Sequence, residues 1–72
     1  MATTYDKGDR VAWSWGNGTG EGTVTEIFTE RVSRTLKGSE VTRNADPENP
    51  AYLIEQDDGD EVLKSQSELD RA

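Results

Sequence analysis

The chain holds neither cysteine nor histidine. Thiol nucleophiles, thiolate metal sites and imidazole bases are therefore all missing. Carboxylates, hydroxyls, guanidinium groups and aromatic rings must carry any chemistry. Fifteen Asp and Glu against eight Lys and Arg give a formal net charge of -7. A carboxylate pair does acid–base work where burial or a like charge raises one pKa. Here Glu55, Asp57, Asp58, Asp60 and Glu61 crowd a stretch that reads as an exposed turn, so a non-catalytic protein is expected. The same stretch fails as a calcium loop, which needs ligands spread over about twelve residues with glycine at the sixth and glutamate at the last. No metal site and no cofactor are expected.

Gly16, Gly18, Gly20 and Gly22 alternate with Asn17, Thr19 and Glu21. Glycine-rich loops hold phosphates on backbone N–H groups, but a G-x-G-x-x-G match from Gly16 needs glycine at Glu21, and one from Gly18 needs it at Thr23. Thr23-Val24-Thr25 follows, which is a strand signal and not the helix such a loop requires. A hairpin is expected instead, with Asn17-Gly18 supplying the positive-φ turn and Gly20 and Gly22 allowing a bulge or sharp bend.

The cations concentrate in the middle of the chain, at Arg31, Arg34, Lys37 and Arg43. With an aromatic ring to stack a base, this basic segment offers a nucleic-acid surface, although the net charge opposes polyanions. Segregation of the two signs also leaves open head-to-tail pairing with a second copy, against the plainer reading of a solvated, solubilising surface.

The elements that position these groups read as short strands bounded by turns. Val11, Trp13 and Trp15 alternate with Arg10, Ala12 and Ser14 after the turn Lys7-Gly8-Asp9, the period-2 pattern of a half-buried strand. Val24, Phe28, Val32 and Leu36 are spaced as on a helix, but Thr23, Val24, Thr25, Ile27, Thr29, Val32 and Thr35 are β-branched. A long bent strand or two consecutive strands is therefore expected, with the four apolar residues on one face. Lys37-Gly38 is a second turn before the strand Ser39 to Arg43. Asn44 to Pro50 is a loop, because Pro47 and Pro50 exclude a helix or central strand. Ala51 to Gln56 is apolar on both faces and reads as the most buried strand. An Asp58-Gly59 hairpin turn closes onto Glu61 to Lys64. Ser65-Gln66-Ser67-Glu68 is a capping box that starts one helical turn, with Leu69 plugging the open end of a barrel.

At 72 residues one domain over 1–72 is expected, with Met1 to Thr4 frayed. A chain this short buries only about 60% of its unfolded surface. Hydrophobic residues make up 31% of it and the mean hydropathy is -0.91, so the aromatics must supply much of the core. Without disulfide staples, a signal-peptide h-region or an apolar run long enough for a bilayer, a cytoplasmic protein without membrane contact is expected. Five or so short strands with a terminal helical turn predict an all-β, SH3-like five-stranded barrel.

K-G-D-x-V-x-W (Lys7 to Trp13), the glycine-spaced return to Val24, R-x-A before a proline loop and P-A-Y-L-I (Arg43 to Ile54), and D-G-x-x-V-L-K-S-x-S-E-L (Asp58 to Leu69) occur in order over nearly the whole chain. Together they resemble the hypervirulence-associated protein family with a Tudor-type domain. The resemblance implies a small SH3-like or Tudor-like barrel without an established activity. Leu63 stands where many members carry a histidine before the lysine of the last strand, so any function of that imidazole is absent here.

Tudor folds bind methylated lysine or arginine in aromatic cages, since a desolvated cation is attracted to ring faces. By that resemblance the ligand-binding candidates are Trp15, Trp13, Tyr52, Phe28 and Tyr5, with Glu55 or Asp57 as anionic partner. Against this, a barrel this small needs most of its rings for its own core; Trp13 and Phe28 take inward positions, and Trp15 is the ring expected to be partly exposed. The function expected is protein or peptide recognition, with nucleic-acid binding through Arg31 to Arg43 as the alternative.

Overall fold

The computed structural model describes residues 4–72. The frayed start expected for Met1 to Thr4 lies outside them except for Thr4, which is exposed. Chain order runs β1 Arg10–Trp15, β2 Gly18–Phe28, β3 Val32–Leu36, β4 Ser39–Arg43, β5 Ala51–Gln56, β6 Glu61–Ser65, a 3₁₀ turn Gln66–Glu68 and β7 Asp70–Arg71. One antiparallel sheet of five strands has the order β6-β5-β2-β1-β7, and β3 pairs with β4 in a separate two-stranded ribbon. The small all-β, SH3-like fold with a short terminal helical turn is therefore present. Its fifth strand is β7, which the sequence does not announce, while the ribbon expected in the barrel wall is an insertion between β2 and β5. No ladder joins β6 to β7 among the described residues, so the sheet curls without closing.

β5 is apolar on both faces because both are covered. Tyr52 and Ile54 pack with Tyr5, Val11, Trp13, Val24 and Leu69 in the inner cluster. On the opposite face Ala51 joins Leu63 and Val32, with Phe28, Leu36, Val41 and Ala45 packed against them. Ala51 to Ile54 are accordingly all buried. Leu63 is 2% exposed in this outer cluster.

The register of β2 against β5 shifts between Val24 and Glu26. That bulge corrects the expectation that Val24, Phe28, Val32 and Leu36 share one face. One extra residue flips every side chain after it, so Val24 faces the inner cluster and Phe28 the outer one. It also places the bulge at Thr25, whose hydroxyl donates to the Leu53 carbonyl at 3.1 Å, and not at Gly20 or Gly22, which stay in regular register with Trp13 and Val11.

Two turns differ from expectation by a residue. Trp15 pairs with Gly18, so the first hairpin turns on Gly16-Asn17, with positive φ at Gly16 and not at Asn17 or Gly18. Gln56 donates to the Asp60 carbonyl and Gly59 to the Gln56 carbonyl; Gly59 takes φ +91°. This is a three-residue loop, in which Gly59 alone needs the left-handed region. Lys37-Gly38 forms the expected tight turn, with φ of 53° and 79°. In the proline loop Asp46 Oδ1 accepts from the Glu48 and Asn49 amides at 2.9 and 2.7 Å.

The chain end returns to β1 through the capping box at Ser65. The Ser65 amide donates to Glu68 Oε1 at 2.8 Å, and Leu69, 7% exposed, enters the inner cluster. β7 then pairs with Val11 and Ala12.

Candidate functional site

The five aromatics do not assemble into a cage. Tyr5 and Tyr52 meet edge to face with centroids 5.6 Å apart, and both are buried. The Tyr52 hydroxyl accepts from the Tyr5 amide at 3.1 Å and donates to Gln66 Oε1 at 2.7 Å; burial pushes its pKa up. Trp13 is 5% exposed in the same cluster. Phe28 lies on the other side of the sheet, half-buried beneath the ribbon. Trp15 stands apart at the hairpin tip, 61% exposed.

The position of Trp15 follows from the hairpin register. Trp13 pairs with Gly20 and Trp15 with Gly18, so each indole faces a residue without a side chain. A Cβ at Gly20 would lie 2.5 Å from the Trp13 indole, and one at Gly18 would lie 2.8 Å from that of Trp15. At Gly22 a Cβ would meet the Glu55 carbonyl oxygen at 2.7 Å. These glycines are flat seats for large neighbours. The signal was legible in principle: numbering outward from the turn pairs each tryptophan with a glycine.

The anionic partners considered for a cage are occupied or remote. Asp57 pairs with Arg10 through contacts of 2.8 and 3.3 Å. The hydrogen bond and charge of Arg10 lower the Asp57 pKa, and those of Asp57 raise that of Arg10. Glu55 is exposed on β5. Thr19, Glu21, Gln56, Asp57 and Asp58 border an acidic cleft of about 380 Å³ beside the first hairpin.

All four residues of the basic segment sit on the ribbon or its approach, and they divide by partner. Lys37 Nζ lies 2.6 Å from Asp60, and this bond and charge raise the Lys37 pKa. Arg43 binds Glu68 through Nε at 2.8 Å and Nη2 at 3.5 Å. Burial pushes the Glu68 carboxyl up, but Arg43 and the Ser65 amide outweigh it and leave its pKa below the ordinary value of 4.5. Lys37 and Arg43 thus fasten the ribbon to the barrel. The Arg34 guanidinium lies 4.8 Å from the Phe28 ring centroid, and Arg31 is exposed in the bend before β3. Among the described residues no group of three or more Asp and Glu is placed to hold a metal ion, and no helix is long and apolar enough to cross a membrane.

The strand order of the main sheet and the 3₁₀ turn before its last strand place the chain among small SH3-like, Tudor-like β domains. The pattern of the family described as hypervirulence associated proteins TUDOR domain matches residues 8–69, and the chain belongs to that family. No curated protein and no solved structure matches the chain.

Proposed function

We propose that this domain is a non-catalytic module that recognises a protein or peptide segment through the tip of the first hairpin, with Trp15 as the anchoring contact. The observation that carries the proposal is the exposure of Trp15, 61%, on a barrel whose Tyr5, Trp13 and Tyr52 are all buried. Tryptophan supplies large contact area at small entropic cost, and tryptophans are enriched among the residues that dominate binding energy. The ring lies against Gly18, whose missing side chain leaves room for it at the hairpin tip.

The nucleic-acid reading through Arg31, Arg34, Lys37 and Arg43 receives less support, because Lys37 and Arg43 are already held by Asp60 and Glu68. A net charge of -7 also opposes a polyanion. Capture from a lysate of the source cell on immobilised wild-type and Trp15→Ala protein tests the proposal. A partner retained by the wild type and lost with the variant supports it. Partners held equally by both would move the site away from the first hairpin, and steeply salt-dependent binding of single-stranded DNA or RNA, lost in an Arg31→Ala, Arg34→Ala double variant, would replace it with the nucleic-acid reading.

A further inference from the structure

A cleft of about 430 Å³ lies at the corner where β2 turns into β3, bordered by Ile27, Phe28, Glu30, Arg31 and Arg34. It combines features that the fold itself leaves unused. Arg10, Lys37, Arg43 and Lys64 each lie within ion-pair distance of a carboxylate, whereas Arg31 and Arg34 have no such partner among the described residues. Arg71 also lacks one but lies over the Tyr5 ring, whereas Arg31 and Arg34 border the same cleft. Arg34 is also held in place: its guanidinium stacks over Phe28 at 4.8 Å, and its Nη1 donates to the Ser33 carbonyl at 3.0 Å. Its remaining N–H groups keep a fixed fork for a carboxylate, with much of the side-chain entropy already lost. Ile27, 37% exposed, adds apolar surface at the same corner.

The backbone beside the cleft points to an extended chain as the occupant. β3 has a strand neighbour on one side only. Leu36 and Ser39 close a two-residue turn, which makes them a hydrogen-bonded pair; by the antiparallel alternation the amides of Ser33 and Thr35 then face away from β4. A free strand edge is the template for strand addition by a peptide.

We propose that this corner binds an extended acidic peptide, with a carboxylate side chain clamped by Arg34 and Arg31 and its backbone running along β3. This goes beyond the reading of Trp15 as an anchor and concerns a separate surface, although both rest on the domain being a binding module. The overall charge of -7 does not oppose it decisively. At physiological ionic strength fields decay over about 8 Å, less than the 23 Å of the molecule's shortest extent, so the two arginines against Glu30 set the local sign.

The test is a fluorescence-anisotropy titration with a short labelled peptide alternating Glu and Val, at low and physiological salt. The expected result is saturable binding that weakens with salt, reduced roughly tenfold or more in Arg31→Gln and in Arg34→Gln, and unchanged in Trp15→Ala. Arg31 is exposed and its side chain makes no hydrogen bond or ion pair among the described residues, so its variant separates loss of binding from loss of fold. Failure of the wild type to bind at low salt, equal binding by the arginine variants, loss of binding in Trp15→Ala, or tighter binding of oligothymidylate than of the peptide would each overturn the proposal.

Discussion

The hairpin β1–β2 and the ribbon β3–β4 both turn on two residues, Gly16-Asn17 and Lys37-Gly38, yet they are joined to the barrel differently. β1 and β2 are ladder strands of the main sheet, and Val11, Trp13 and Val24 from their shared face lie in the inner cluster. The ribbon has no ladder to that sheet and is held by side chains: Val32 in the outer cluster, Leu36 and Val41 packed against it, and the pairs Lys37–Asp60 and Arg43–Glu68. Backbone continuity makes the first hairpin a fixed mount for Trp15. The ribbon adds a cover for Leu63 and Ala51 and brings arginines to a new edge, at the cost of polar fasteners that contribute little each.

This contrast predicts a gradient of mutational effects. Trp13→Ala removes a buried ring from the inner cluster and is expected to cost about 3–5 kcal/mol. That is about half or more of the stability of a domain of this size, roughly 4–10 kcal/mol, so urea denaturation should find its midpoint lowered further than that of any other variant here. Gly20→Val forces a side chain into the Trp13 indole, and overpacking of this kind costs about 1–3 kcal/mol; a denaturation midpoint equal to the wild type's would show that the tryptophan–glycine pairing is not what holds the hairpin. On the ribbon, Leu36→Ala and Val41→Ala remove half-buried contacts and should cost only about 1 kcal/mol each, measured the same way. Losses as large as that of Trp13→Ala would erase the distinction between the two hairpins.

The polar fasteners should show smaller effects with a definite pH dependence. Because the folded-state pKa of Glu68 is depressed, its contribution is present above the unfolded value and lost as pH falls through the folded one. Wild-type protein should therefore lose stability below about pH 4.5 more steeply than Glu68→Gln, as followed by thermal melts across an acid series. Parallel curves would show that Arg43 and the Ser65 amide do not favour the charged form. Lys37→Ala, which breaks an exposed pair, should shift the melting temperature least, by under about 2 °C.

What the sequence conveyed about these regions depended on how local the cause was. The capping box at Ser65, the turn at Lys37-Gly38 and the double-faced burial of Ala51 to Ile54 are written in neighbouring residues, and they could be read there. The separation of the ribbon could not, because Val32, Leu36 and Val41 fall at positions that a strand in the barrel wall would equally offer. The bulge at Thr25 was equally hidden. No glycine or proline marks it, and it alone sends Phe28 to the face opposite Val24. β7 is only Asp70–Arg71, too short for any periodicity. At the candidate site, exposure of Trp15 follows from its place at a strand end, whereas Tyr5 meets its partners, the Tyr52 hydroxyl and the Leu69 carbonyl, only across long stretches of chain. The splitting of the basic segment also required the fold, since Asp60 and Glu68 approach Lys37 and Arg43 only once the ribbon has docked.

The first hairpin places two tryptophans two residues apart and gives them different work, Trp13 for the fold and Trp15 for contact. The most direct measurement of that division is a thermal melt of Trp15→Ala made alongside its capture of partner from the source-cell lysate. The account predicts a melting temperature within about 2 °C of wild type together with loss of the captured partner. A melting temperature lowered by many degrees, or capture equal to wild type, would contradict it.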